Sequence, residues 1–290
     1  MRSSNPVLTR LGSAAGQGRA GGQQAPYAQP GQNPFQQQPY GQQQYPPQYG
    51  QQYGGGYPAP PGVSGGTMSI DDVVVRTVML LAVTGIFGAI AWIALPDTGT
   101  VATLAMVGSV LAGLVLGLVI AFKRITNPAV IFAYAAIQGV LLGVVSEYFN
   151  ERYSGIVMQA VAATFAVFFV MAVLYKFRVL RATPKFAKFV IGALLAFVAL
   201  SLINLVAYAF NFEMGLVDYG TDSVNPLAFL FAGAGIVIGA LTFILDFAEI
   251  EEGVRHGIPE KFAWYSAFGL LVGLIFLYWQ ILQMLSYLRR

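Results

Sequence analysis

The chain has 290 residues, 56% of them apolar and only 10% charged, with a mean hydropathy of +0.63. A soluble globular chain is about 25% charged, so this composition predicts a polytopic membrane protein. The lack of cysteine excludes disulfides, thiol catalysis and thiolate metal sites, and the single histidine, His256, excludes a histidine-rich metal cluster. The net charge of +3 and pI near 9.0 come from basic residues in short segments between apolar runs. There they orient a chain in a bilayer, and no nucleic-acid partner is expected.

Residues 1–68 read as a separate region. No charged residue falls between Arg19 and Asp71, and the stretch is dominated by Gln, Gly, Pro and Tyr. A run such as PYGQQQYPPQYGQQYGGGY has too few aliphatic side chains to offset the entropy of ordering, which predicts a disordered cytoplasmic tail. Its spaced tyrosines (Tyr27, Tyr40, Tyr45, Tyr49, Tyr53 and Tyr57) resemble weak stickers, so partner binding or condensation is the alternative to a plain solvated tail. The first apolar run begins only at Val73, so no cleavable signal peptide is expected.

Residues 69–290 divide into apolar runs at 73–95, 100–122, 128–147, 155–175, 187–210, 226–247 and 262–288. A helix needs about 20 residues to cross the hydrocarbon, so the prediction is an all-α bundle of seven transmembrane helices. Pro96, Pro128, Pro184, Pro226 and Pro259 fall in connections or at first helical turns, where proline is tolerated. Gly139 with Gly143, and Gly235 with Gly239, have the small-xxx-small spacing that lets helix backbones approach closely.

An inward N-terminus places thirteen Lys and Arg residues on the cytoplasmic side and three outside: Arg152, Arg289 and Arg290. The bias predicts a multi-pass protein of the cell membrane with its N-terminus in the cytoplasm. Seven spans then put the C-terminus outside, against the local signal of Arg289 and Arg290, unless the last run fails to cross. The outer side holds Asp97, Glu147, Glu151, Glu213, Asp218 and Asp222. Such a rim concentrates cations, although loops also need solvating charge.

The sixth run contains one carboxylate, Asp246, about 28 Å from its outer end by helical rise. An ionisable group at that depth is a functional-site candidate; an acid hydrated at a helix end is the plain alternative. Glu249 follows one turn later on roughly the same face, and the pairing predicts a group able to exchange a proton near physiological pH.

The segment FILDFAEIEEGVRHGIPEKFAW, followed by LYWQILQMLSYL, resembles the last two helices of the Bax inhibitor family, and SSNPVLTR with the low-complexity tail resembles its actinobacterial branch. The resemblance covers residues 70 to 290. It implies a seven-helix bundle with a central last helix and a passive, pH-sensitive calcium leak, with calcium as permeant ion rather than cofactor. It also implies a pair of aspartates in the sixth and seventh helices, which a basic residue from the inner end of the second helix can bind. Asp246 matches the sixth-helix aspartate and is the expected calcium contact; Arg124 or Lys123 matches the basic residue.

No residue between Phe262 and Leu288 is acidic. The LYWQ match puts Gln280 in the place of the second aspartate, whereas a gapless reading puts Leu271 or Val272 there. A hairpin turning near Gly257 would leave Asp246 and Gln280 roughly 18 Å apart in height. Glutamine cannot take up charge, so a coupled two-carboxylate switch is not expected. Glu249 or Glu252 can supply charge at the inner mouth, and Gln138 and Glu147 on the third run are polar positions that could line a path.

Three functions follow from these residues. One is a cation leak governed by Asp246. The second is a non-transporting scaffold for a membrane protease or another membrane partner. The third, an intramembrane enzyme, is disfavoured: no serine lies in a GxSxG-type context and His256 lies in a connection, so no catalytic residue is assigned.

Overall fold

A computed structural model describes residues 66–95, 99–210, 212, 214–217 and 225–289 of the chain. The predicted tail lies outside these residues except for 66–68, as do Pro96, Asp97, Glu213, Asp218 and Asp222. The described residues form seven helices: α1 (Ile70–Ala94), α2 (Thr100–Lys123), α3 (Pro128–Arg152), α4 (Ile156–Lys176), α5 (Pro184–Ala209), α6 (Pro226–Arg255) and α7 (Phe262–Leu288). All seven are long and apolar enough to cross a membrane. The all-α class and the number of spans are as expected.

Local chemistry sets the helix starts. Pro128, Pro184 and Pro226 open α3, α5 and α6, where a missing N–H costs nothing. The preceding Asn127, Thr183 and Asn225 accept hydrogen bonds from Ala129 N, Phe186 N and Leu227 N. At α1, Ser69 and Asp72 form a capping box: Ser69 Oγ accepts from Asp72 N at 3.1 Å, and Ser69 N donates to Asp72 Oδ2 at 3.0 Å. Ser69→Ala removes the accepting half. It is expected to cost about 1 kcal/mol, read as a lower melting midpoint of the purified protein.

α7 is the central helix. It packs against α1, α3, α4 and α6 and carries more buried side chains than any other helix. α2 packs chiefly on α3, and α5 chiefly on α6, with side-chain contacts to α7 at Ala121–Tyr265 and Phe197–Phe276, so both are peripheral and present mostly apolar surface outward. The α1–α3 contact is the closest: a Cβ on Gly139 would lie 2.5 Å from Thr84 O, and one on Gly143 2.3 Å from Gly88 O.

The last run reaches the end of the bundle opposite the α6–α7 connection. Arg289 there donates from Nη1 to Ser154 O and from Nη2 to Gln159 Oε1, both at 2.8 Å, at the α3–α4 connection. This side chain is thus used in a tertiary contact.

At the other end, the chain before α1 is already part of the bundle. Thr67 forms an antiparallel bridge with Pro259, Met68 N donates to Ile258 O at 2.9 Å, and Glu260 N donates to Gly66 O at 2.9 Å. Residues 66–68, which composition groups with the tail, therefore pack on the turn between α6 and α7. His256 ends α6 as its C-cap, and Gly257, at φ 63°, turns the chain toward α7.

Candidate ion-pathway site along the α6–α7 seam

Asp246 lies within α6, about 30 Å from its first residue and about 14 Å from its last by helical rise. Eight residues beyond the apolar run remain helical, so the carboxylate is not at a frayed helix end. It is partly buried and faces α7: a Cβ placed on Gly273 would lie 3.7 Å from Asp246 Oδ2. Among the described residues no hydrogen bond or ion pair engages the carboxylate, and Glu249 is the charged group that acts on it. Phe243 and Phe247 flank it on α6, and both pack edge-on against Phe168 of α4, at 5.1 and 5.6 Å between ring centroids.

Gln280 does not meet Asp246. α7 is continuous from Phe262, and Gln280 lies against Gly235, where a Cβ would be 2.9 Å from its Oε1. Gly235 precedes Asp246 by eleven residues, about 16 Å of helical rise. Between these levels Gly239 packs under Phe276 and Leu277, so apolar side chains separate the acid from the amide. Gln280 is 5% exposed and its Oε1 finds no hydrogen-bond partner among the described residues. Of the gapless candidates, Leu271 is buried in a cluster with Leu80 and Tyr134, and Val272 is among the exposed apolar residues. The seventh-helix position opposite Asp246 is Gly273.

The remaining sequence candidates separate into two groups. Glu249 and Arg124 are exposed toward the end of the bundle that carries the α6–α7 connection, and both lie within electrostatic reach of Tyr265 on α7, whose hydroxyl donates to Ala121 O at 3.3 Å. Arg124 caps α2 in a left-handed conformation, φ 47°, and forms no ion pair with Asp246. Lys123 is exposed at the end of the same helix. Gln138 and Glu147 lie elsewhere. Gln138 faces α2 at Gly113 and donates to Tyr134 Oη at 3.0 Å, and Glu147 is near the opposite end of α3. The candidates near the seam are therefore Asp246 and Glu249, with Arg124 at its rim.

Sequence reasoning missed three features of this region. Gly273 faces the acid, and the Gly269–Gly273 spacing on α7 was its available signal. Arg76 donates from Nη1 to Glu260 O at 3.0 Å and from Nη2 to Glu260 Oε1, with its guanidinium 5.3 Å from the Trp264 ring centroid. Met68 is inserted between α6 and α7 at 2% exposure. Among the described residues no group of three or more His, Cys, Asp or Glu side chains could hold a metal ion.

Seven membrane-length helices with the last at the centre, and on its seam with α6 an acid that no described residue pairs, define a polytopic integral membrane protein. The family model described as Bax inhibitor 1 like matches residues 5–290, and the chain belongs to that family. No curated protein matches it.

Proposed function

We propose that this protein is a passive cation leak of the cell membrane, its N-terminus cytoplasmic, in which calcium or another cation crosses along the α6–α7 seam under the control of Asp246. The observation that carries this reading is a carboxylate within a membrane span, engaged by no cation or hydrogen-bond donor among the described residues. An unmatched charge is costly in a bilayer and is retained where it serves a path or a switch.

Calcium takes six to eight oxygen ligands, and this seam offers no cluster of carboxylates. The ion would pass Asp246 with most of its water retained, which suits a leak better than a storage site. Glu249 and the exposed acids at the mouth would raise the local cation concentration. Since Gly273 rather than an acid faces Asp246, flux should titrate with a slope of about one proton rather than as a coupled pair. No residue is given a catalytic role.

The test is calcium and monovalent cation flux into liposomes containing the purified full chain. Flux above empty vesicles is expected; equal rates across several lipid compositions would remove the reading. The exposed apolar faces of α2 and α5 favour a second reading, a scaffold for a membrane protease or another membrane protein. Under that reading a partner would co-purify with the chain and liposomes would stay tight.

A further inference from the structure

We infer that residues Gly66–Ser69 form an inner strap whose Met68 side chain stoppers the α6–α7 seam beneath Asp246. This rests on the proposed path along that seam and assigns its closure from the inside.

Helical register places the plug. A Cβ on Gly253 would lie 2.8 Å from Met68 Cε, and Ser266 Oγ lies 3.9 Å from Met68 Sδ. Gly253 is seven residues beyond Asp246 on α6, and Ser266 is seven residues before Gly273 on α7. Seven residues are close to two helical turns, so both Met68 contacts lie on the stripes that carry Asp246 and Gly273, about 10 Å nearer the inner end. The thioether therefore occupies the seam directly below the carboxylate. Gly269 lies between the two levels on the same face of α7, and a Cβ there would meet nothing within 4 Å. A small side chain at position 269 therefore has room at the level between plug and acid.

The strap is held by its own contacts: the Thr67–Pro259 bridge, the Met68 N to Ile258 O and Glu260 N to Gly66 O hydrogen bonds, and the Arg76–Glu260 pair behind them. Methionine suits the position because its unbranched chain fills an irregular gap and can leave it without a polar group being buried.

Because the chain has no cysteine, a single introduced thiol is an unambiguous reporter. The experiment uses Gly269→Cys in the full chain in proteoliposomes. A cationic, membrane-impermeant thiosulfonate is added on the side where an exposed His256→Cys control reacts. Labelling of Gly269→Cys should be slow, rise about tenfold when Met68→Ala is added, and fall back with Met68→Leu, which refills the gap. Cation flux should rise with Met68→Ala and be lost again in Met68→Ala/Asp246→Asn. The strap is overturned if Gly269→Cys alone reacts as fast as the control, or if Met68→Ala changes neither labelling nor flux while wild type still leaks. Wild type that does not leak, with labelling still dependent on Met68, would instead remove the conduction reading and leave the strap.

Discussion

Replacing Asp246 with asparagine is expected to lower cation flux about tenfold or more, which corresponds to about 1.4 kcal/mol of added barrier. The magnitude follows from electrostatics. A unit charge 4 Å from a monovalent cation is worth about 4 kcal/mol at an effective dielectric of 20, and water left around the ion reduces this. Divalent flux should fall more than monovalent flux, because the attraction scales with charge. Asp246→Asn is nearly isosteric, so seam packing against Gly273 and Phe243 is retained and the melting midpoint should not fall. Melting and flux on the same preparation separate lost charge from lost fold. Asp246→Glu keeps the charge on a longer arm and should keep most of the flux. If the asparagine variant conducts both ion types like wild type, the carboxylate has no part in passage.

Gln280→Ala is a contrasting case. The amide lies about 16 Å from the acid by helical rise, with Phe276 and Leu277 between. It should leave the dependence of flux on Asp246 intact, whereas a direct pair would not. An alanine there also removes a buried carbonyl oxygen that finds no partner among the described residues, which offsets part of the cost of the cavity left against Gly235.

The elements were legible in the sequence because the bilayer imposes one simple rule, about twenty apolar residues per span, and Asn-Pro or Thr-Pro marks three helix starts. Asp246 was legible for the same reason, as a charge in a run that excludes charge. Pairings across helices were not. Matching LYWQ put Gln280 in the place of the second aspartate, while helical rise from a turn near Gly257 already set it roughly 18 Å from Asp246. α7 begins at Phe262, immediately after the turn, so the separation stands, but which residue faces the acid was not legible. Arg76 counts only as one more inward cation until the fold brings Glu260, 184 residues away, against it. Met68 follows a Gly- and Gln-rich tract, and nothing local distinguishes a side chain that leaves the tract to fill a groove between two distant helices. Residues Arg124 and Lys123 sit near the seam in sequence logic, but the left-handed cap at Arg124 ends α2 with both exposed.

Gly143→Ala should be the most damaging single-methyl change among the described helical glycines, because a Cβ there has no room and no flexible neighbour. It would lie 2.3 Å from Gly88 O and 2.9 Å from Ala91 Cβ, and a backbone carbonyl on α1 cannot swing aside as a long side chain can. Either α1 and α3 separate or the bond angles distort; overpacking of this kind costs about 1–3 kcal/mol. The loss extends beyond the methyl, since Gly139 on the same face contacts Thr84 O and Phe87 Cβ, and separating the helices at one glycine loosens the other. Gly269→Ala is the matched control: the same methyl added to a helix meets nothing within 4 Å, and alanine's higher helix propensity makes the change neutral or slightly stabilising. Melting midpoints in detergent should therefore drop for Gly143→Ala and hold or rise for Gly269→Ala. Equal midpoints for the two variants would mean that α1 and α3 are not held at the backbone contact distance. The α1 end that carries Arg76 to Glu260 would then have a different anchor.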